Sequence, residues 1–135
     1  MITYQIEEKI EAAEFLEVLV KSTLGERRPI NEPDRIAKML QNADIFATAR
    51  DNGKLIGIAR SLTDYAFCTY LSDLAVDESY QKMGIGRELI RITKQHTPDA
   101  KLILLAAPKA IHYYPKIGME QWEYCYTLTD VNNIK

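Results

Sequence analysis

The sequence predicts one α/β domain, α+β in the finer division, that extends over residues 1–135. Three observations carry this prediction. The hydrophobic period changes from helical to strand-like near residue 45, an Asn-Gly pair separates two strand-like runs at residues 52–53, and residues 102–106 form a continuous apolar run. With 47% hydrophobic residues, a chain of 135 residues has enough apolar material for a substantial core.

The N-terminal region predicts a strand followed by two helices. Residues 2–6 alternate in polarity, as strands do, and residues 8–24 carry apolar side chains at helical spacing until Gly25 ends the pattern. Pro33 occupies the position at which a second helix would begin. The apolar stripe of that second helix consists of Ile36, Met39 and Leu40.

Three strands of an antiparallel meander are predicted next. The runs 45–50 and 54–62 flank Asn52-Gly53, a dipeptide typical of two-residue hairpin turns. A second turn at residues 63–65 leads into a third strand over residues 67–76.

A loop and a helix follow the meander. The loop covers residues 77–83, and the helix covers residues 84–96 because Pro98 prevents it from continuing. The apolar run 102–106 then predicts a strand that is covered on both faces.

The last predicted elements are a short helix over residues 108–116, capped by Gly118, and a strand over residues 122–128. Two alternatives stay open for that strand: packing on the core of its own chain, or pairing with a second copy in a homodimer. Its aromatic side chains alternate and so share one side, namely Trp122, Tyr124 and Tyr126. The full predicted order is β-α-α-β-β-β-α-β-α-β.

Composition argues against several classes of protein. A formal net charge of -2 does not suit a general nucleic-acid binder, and no apolar run approaches the roughly 20 residues that a membrane span needs. The two cysteines, Cys68 and Cys125, lie far apart, and no Cys/His cluster has metal-ligand spacing. We therefore expect a cytoplasmic protein with no metal, nucleic-acid or membrane partner.

The strongest functional signal is the segment Gln81-Lys82-Met83-Gly84-Ile85-Gly86-Arg87, which covers the end of the loop after the fourth predicted strand and the start of the following helix. Backbone N–H groups at a helix start have no partner within the helix, and glycine lets a phosphate approach them. The helix dipole, Lys82 and Arg87 all favour an anion there. The segment therefore predicts a pyrophosphate site.

Two common nucleotide motifs do not fit this segment. A P-loop needs Lys-Ser/Thr after its second glycine, whereas Arg87-Glu88 follow Gly86. A Rossmann fingerprint needs glycine or alanine three residues after Gly86, where Leu89 stands.

The pattern Gln81-x-x-Gly84-x-Gly86, preceded by Asp73-Leu74-Ala75-Val76-Asp77, resembles the acetyl-CoA motif of the GNAT superfamily of N-acetyltransferases. A second pattern, Ala110-x-x-Tyr113-Tyr114-x-x-x-Gly118-Met119, resembles a helix and turn of the same family, and the order of elements resembles it over most of the chain. The resemblance implies a mixed, mostly antiparallel central sheet with helices on both faces. It also implies acetyl transfer from acetyl-CoA to a primary amine of a small molecule or protein.

The resemblance also implies where acetyl-CoA would bind. The pantetheine arm would enter between two parallel strands that splay apart, and a backbone N–H near Leu74 would hold the oxyanion. The strand Leu74-Ala75-Val76 would offer backbone groups to the arm. The pyrophosphate would be wrapped by the amides of Gln81, Lys82, Met83, Gly84, Ile85, Gly86 and Arg87.

Catalysis needs a route for the amine proton and a proton for the leaving sulfur. By resemblance, Tyr114 is the acid that supplies the sulfur proton, in a direct attack within a ternary complex. Asp73 is either the general base or a structural carboxylate, and Tyr70 or a water chain are alternatives for the base. Tyr113 is expected in the core and His112 on an exposed turn.

One departure from the family pattern motivates a second hypothesis. Ala107 stands where the family often has an asparagine that bonds the pantetheine region. The alternative function is a non-catalytic module that binds or senses CoA or acyl-CoA.

Overall fold

Alternating strand sequences form a five-stranded sheet in the computed structural model, which describes residues 1–135. The strands stand in chain order; the first four pair antiparallel, and the fifth pairs parallel with the fourth. The predicted mixed, mostly antiparallel sheet is therefore confirmed. The strands are β1 (Ile2–Glu7), β2 (Ile45–Asp51), β3 (Lys54–Thr63), β4 (Cys68–Val76) and β5 (Lys101–Ile103).

Four α-helices and four short 3₁₀ turns accompany the sheet. The helices are α1 (Ala12–Lys21), α2 (Pro33–Gln41), α3 (Ile85–His96) and α4 (Tyr113–Lys116). The 3₁₀ turns cover Leu24–Arg27, Glu78–Tyr80, Pro108–Ala110 and Val131–Asn133. None of the helices combines the length and the apolar character that crossing a membrane requires.

The chain divides into two compact units. The first, Met1–Leu105, contains the sheet and the helices α1 to α3. The second, Ala106–Lys135, contains α4. The single domain over residues 1–135 stays a prediction.

The helices α1 and α2 cover one face of the sheet. Their buried side chains include Phe15, Leu19 and Ile36, and these join a cluster with Phe46 and Ile58 of the strands. The apolar stripe predicted for α2 therefore faces the core. In α1 the buried face differs from the predicted apolar spacing, because Val20 is exposed and Phe15, Val18 and Leu19 are buried.

The helix α3 covers the opposite face, and Gly57 of β3 permits its close approach. A Cβ atom at Gly57 would lie 3.1 Å from Cγ2 of Ile85 and 3.3 Å from Cδ1 of Leu89. Any side chain at this position would push the first turns of α3 away from the sheet. Helices on both faces are thus confirmed for the first unit.

A β-bulge at Ser72 changes which side β4 presents. Two consecutive residues of β3 pair with Leu71 and Asp73, so Ser72 is the extra residue. Before the bulge, the Thr69 hydroxyl donates to the hydroxyl of Thr97, the residue that follows α3 (3.0 Å). After the bulge, Ala75 packs in the cluster under α1 and α2. Residues six apart in a regular strand share a face, so the bulge explains the switch.

Several local predictions are confirmed. The hairpin turn contains Asn52 at φ +50 and Gly53 at φ +90, the two positive values that this turn requires. The second helix begins at Pro33, and α3 ends at His96, two residues before Pro98.

The predicted ends of the first helix are wrong. It begins at Ala12 instead of residue 8, and it ends before Thr23, which has a φ of 72°. Gly25 is buried in the following 3₁₀ turn, where a Cβ atom would lie 3.2 Å from the carbonyl oxygen of Leu19. Close packing against α1 accounts for this glycine, and helix termination does not.

The fifth strand is shorter and more exposed than predicted. It ends at Ile103, whose exposed fraction is 45%, and Leu105 is 52% exposed. As the last strand of the sheet it has a hydrogen-bonded neighbour on one side only. An apolar run does not distinguish such an edge strand from a strand covered on both faces.

The predicted strand over residues 122–128 is absent. This segment has no regular secondary structure, and all of its residues are exposed. Alternation specifies which side chains share a side, but a strand also needs a neighbouring strand for its backbone groups. No strand pairs with this segment in the sheet.

A half-buried ion cluster joins β1, β2 and α1. Arg50 donates from Nε to Oε2 of Glu7 (2.8 Å) and from Nη1 to Oε1 of Glu14 (2.7 Å). Burial acts to raise the pKa of Glu7, but hydrogen bonds from Arg50 and Thr48 outweigh it, and the pKa lies below its ordinary value. The ionised form of Glu7 therefore stabilises the fold.

We expect Glu7→Gln to lower the free energy of unfolding at neutral pH by about 1 to 2 kcal/mol, because it removes the charge that Arg50 contacts. A carboxylate whose folded pKa is lowered contributes above its unfolded pKa of about 4.3 and loses that contribution as the pH falls through the folded pKa. The difference between the two proteins should therefore shrink as the pH falls below the unfolded pKa and through the lower folded pKa. Urea unfolding across this range measures it.

The matched control is Glu8→Gln, because Glu8 is the exposed neighbour of Glu7. This variant should unfold like the wild type at every pH. A wild-type advantage over Glu7→Gln that does not change with pH would contradict the role of the ionised carboxylate.

Candidate functional site

A gap opens in the sheet between β4 and β5. The two strands pair over three positions only, Cys68–Tyr70 with Lys101–Ile103, and β4 then continues to its end without a strand on that side. The bulge at Ser72 lies just beyond the last paired position. Leu74, Ala75 and Val76 follow along this edge, and apart from the Val76 carbonyl, which accepts from Gln81, the backbone groups that face the edge are open to an extended partner.

Side-chain hydrogen bonds hold the connection from β4 to α3. The carboxylate of Asp77 accepts from the backbone N–H of Ser79 (2.8 Å). The Tyr80 hydroxyl donates to the carboxylate of Asp51 at the hairpin (2.6 Å). Gln81 donates from Nε2 to the carbonyl oxygen of Val76 (3.0 Å). The first residue of the Gln-x-x-Gly-x-Gly pattern thus ties the loop to β4 through its side chain.

The N-terminus of α3 presents N–H groups that no side chain caps. Glu88 donates the first helical hydrogen bond to the carbonyl of Gly84 (3.1 Å), so the preceding N–H groups lack helical acceptors. Gly84 has a φ of +79°, and an added Cβ atom would meet no atom within 4 Å. This glycine therefore turns the chain into the helix and leaves open space before the amides of Ile85, Gly86 and Arg87.

Two exposed cations flank these amides. Lys82 lies in the loop at a φ of 65°, and Arg87 lies in the first turn. The acid of that turn, Glu88, forms its ion pair with Arg91 (2.8 Å) and is attracted more weakly by Arg87. Met83, between the cations and also exposed, adds an apolar surface. The helix dipole and the two cations favour a multiply charged anion.

Asp73 lies directly after the bulge, and its side chain is fully buried. Its Oδ1 accepts from Nε of Arg28 (2.5 Å), and its Oδ2 accepts from Nε of Arg60. Arg28 also donates to the carbonyl of Ser72 (2.6 Å), and Arg60 donates to the Ser72 hydroxyl (3.0 Å). Two guanidinium groups therefore hold the bulge on the face that α1 and α2 cover.

Sequence reasoning missed this cluster. Arg28 lies in the largely polar segment 26–32, and neither it nor Arg60 belongs to a recognisable motif. An arginine within the apolar strand 54–62 was the available signal, because a buried arginine is almost always paired. The spacing along the chain does not reveal that its partner is Asp73.

The second unit contains the second motif. The predicted short helix occurs in two pieces, Pro108–Ala110 and α4, and Gly118 follows at a φ of +98°. The rings of Tyr113 and Tyr114 touch edge to face, with centroids 5.3 Å apart. Burial raises the pKa of Tyr114 above its ordinary value, and the charge of Tyr113 adds to this. The Tyr114 phenol thus keeps its proton at neutral pH.

In this unit the structure confirms the predicted exposure of His112 but not the predicted burial of Tyr113. His112 is exposed, as expected, but Tyr113 is 37% exposed and is not a core residue. Ala107 begins the 3₁₀ turn, where its carbonyl accepts from the N–H of Ala110 (2.8 Å). An alanine at this position supplies no side-chain hydrogen bond to a ligand.

An open strand edge beside an uncapped, cationic helix start suits an extended ligand with an amide-containing arm and a pyrophosphate. The chain belongs to the acetyltransferase (GNAT) family, whose model matches residues 12–119. Acetyl-CoA-dependent acetyl transfer is the activity of that family.

Individual relatives agree with this membership. A β-lysine N(6)-acetyltransferase of Methanococcus maripaludis is 30% identical over 107 residues, which cover 78% of this chain and 39% of that enzyme. The chain therefore spans well under half of that relative. A GNAT-family acetyltransferase from Streptococcus pneumoniae superposes with a TM-score of 0.76 at 21% identity, covering 98% of this chain and 99% of that one.

A protein of similar fold was solved in complex with CoA. It is an aminoglycoside N-acetyltransferase, AAC(6')-Iy, with a TM-score of 0.71 at 13% identity over 97% of this chain and 95% of that chain. At such identities the two structural likenesses show a shared fold. In this chain, the free amides, the open space at Gly84 and the cations Lys82 and Arg87 fit the pyrophosphate of CoA.

We expect Gly84→Ala to weaken CoA binding about tenfold or more, because the methyl group would enter the space before the amides and alanine is strained at this φ. Gly53→Ala is a matched control: Gly53 also has a positive φ and open surroundings, but it lies in the hairpin turn. Both variants should lose about 1 to 2 kcal/mol of stability. Calorimetric titration with CoA separates them, and equal dissociation constants would contradict the assigned site.

Proposed function

We propose that this protein is an N-acetyltransferase that moves the acetyl group of acetyl-CoA to a primary amine of a small molecule or protein. The observation that carries the proposal is the uncapped start of α3 beside the open edge of β4. Bound acetyl-CoA supplies a thioester whose carbonyl carbon is the electrophile. The proposed binding residues are Leu74, Ala75 and Val76 for the arm, and Gln81, Lys82, Met83, Gly84, Ile85, Gly86 and Arg87 for the pyrophosphate.

The proposed chemistry is direct attack by the amine in a ternary complex. The backbone N–H of Leu74 holds the carbonyl oxygen as negative charge develops on it. Leu74 follows Asp73, and the two arginine contacts of Asp73 fix the backbone at this point. A donor that is fixed before the reaction stabilises charge without reorganising during the reaction.

Tyr114 is the proposed acid for the sulfur of the leaving thiolate. The raised pKa of its phenol keeps the proton available over the whole neutral range. A thiol has an ordinary pKa of about 8.5, so a thiolate close to a phenol competes for its proton at modest cost.

We assign Asp73 the structural role, as the residue that positions Leu74, and not the role of the general base. These are the two roles that the sequence left open for it. Both of its oxygens accept from guanidinium groups, and its side chain has no exposed surface. A general base needs a free lone pair within reach of the amine. We propose that the amine proton leaves to bulk solvent through a water chain beside Tyr70, which is 36% exposed, and that Tyr114 regains a proton from solvent after the thiol has formed.

The acceptor panel follows from the relatives. β-Lysine belongs in it because of the Methanococcus maripaludis enzyme, and an aminoglycoside because of the CoA-bound structure. The homodimer and the cytoplasmic location stay predictions. Light scattering tests the homodimer.

The activity test combines two measurements on the full chain. Release of free thiol from acetyl-CoA in the presence of an amine is the expected result, together with CoA binding by calorimetry. CoA binding without turnover of any amine would favour the alternative, a CoA-sensing module, which the alanine at position 107 motivates. A protein without CoA affinity would contradict both.

We expect Tyr114→Phe to lower kcat about 10²-fold or more, with an unchanged dissociation constant for CoA, because the variant lacks only the phenolic hydroxyl that supplies the proton. Since the raised pKa keeps the acid protonated, wild-type activity should fall only above about pH 10. Tyr113→Phe is the matched control and should retain wild-type kcat. Equal kcat values for Tyr114→Phe and the wild type would remove Tyr114 from the mechanism.

A further inference from the structure

The cluster of Arg28, Asp73 and Arg60 carries a surplus positive charge. Two guanidinium groups share one carboxylate, and Asp73 is the only acid that forms an ion pair with either arginine. The side chains of Asp73 and Arg60 are 0% and 7% exposed, whereas that of Arg28 is 21% exposed. Buried charges are normally balanced by a partner, so a cluster with one unbalanced cation favours an anion at its accessible end.

Arg28 has donors available for such an anion. Its guanidinium group has five N–H donors, and three hydrogen bonds are made: to Asp73, to the carbonyl of Arg27 (2.9 Å) and to the carbonyl of Ser72 (2.6 Å). Asp73 and Ser72 hold the group in one orientation. A fixed guanidinium group with unused N–H donors is well suited to a carboxylate, which accepts from two of them.

The position of Arg28 links this donor to the reaction. It contacts Ser72 and Asp73, the two residues that precede the open edge at Leu74–Val76. It reaches them from the connection between α1 and α2. An acceptor whose amine attacks beside Leu74 would therefore lie within reach of Arg28 on the same face.

We infer that Arg28 binds a carboxylate of the acceptor, so that the substrates are amines that also carry a carboxylate, as in an amino acid or the C-terminal residue of a peptide. The inference rests on the proposed function. The surplus charge attracts the carboxylate to Arg28. This orients the acceptor with its reacting amine away from the arginine.

The test compares acceptors that differ only in the carboxylate: lysine with lysinamide, and a short peptide ending in lysine with its C-terminal amide. The value of kcat/KM for the acid should exceed that for the amide by about 10- to 100-fold in at least one pair, and the pair that shows it identifies the source of the carboxylate. Equal values within both pairs would overturn the inference while acetylation itself still supported the proposed function.

Two variants connect the preference to Arg28. Arg28→Gln should lower kcat/KM for both acceptors, because Asp73 loses one of its two contacts, but it should lower the value for the acid about 10-fold or more further, so that the acid preference disappears. Arg28→Lys should retain part of the preference because it keeps the charge. The control is Arg27→Gln, an exposed neighbour that does not contact Asp73. An acid preference that survives in Arg28→Gln would contradict the assignment.

Calorimetry in the presence of CoA provides a readout that needs no turnover. Lysine should bind to the wild type about 10-fold or more tightly than lysinamide, and Arg28→Gln should abolish the difference. Equal affinities would overturn the inference even in a protein that acetylates nothing.

Discussion

The buried contact of Asp73 with two guanidinium groups is the interaction on which the arrangement of the site depends. Arg28 comes from the connection between α1 and α2, and Arg60 comes from β3. Arg60 also donates to the carbonyl of Met39 in α2 (3.2 Å). One carboxylate therefore joins the central strands to the layer of helices on one face. Breaking a buried pair of this kind costs about 3 to 5 kcal/mol, because the remaining charges lose their partner.

The same contact stabilises the bulge, and the bulge determines which face of the sheet the side chains of β4 point to. Before Ser72, β4 pairs with β5, and its Thr69 hydroxyl donates to Thr97 at the end of α3. After Ser72, Ala75 packs in the core under α1 and α2, and one edge of the strand is open. The connection anchored by Gln81 then begins α3 next to that edge. The open edge and the free amides of α3 are thus neighbours along the chain, which suits a ligand with an arm and a pyrophosphate.

The parts of this arrangement that depend on local chemistry could be predicted from the sequence. Pro33 and the Asn52-Gly53 turn act through their own backbone preferences, and the structure confirms them together with the start of a helix just after Gly84. Burial of β5 and pairing of residues 122–128 depend on which segments become neighbours, and apolar or alternating patterns do not specify neighbours. The arginine cluster was missed for the same reason, because its members come from three separate segments.

The most direct test of the account is a crystal structure of this protein with CoA. The account predicts that the pyrophosphate accepts from the amides of Ile85, Gly86 and Arg87 and that the pantetheine arm bonds to β4 along Leu74–Val76, with Asp73 still held by both arginines. A CoA molecule whose pyrophosphate lies away from the start of α3, or whose arm does not contact the open edge of β4, would contradict it.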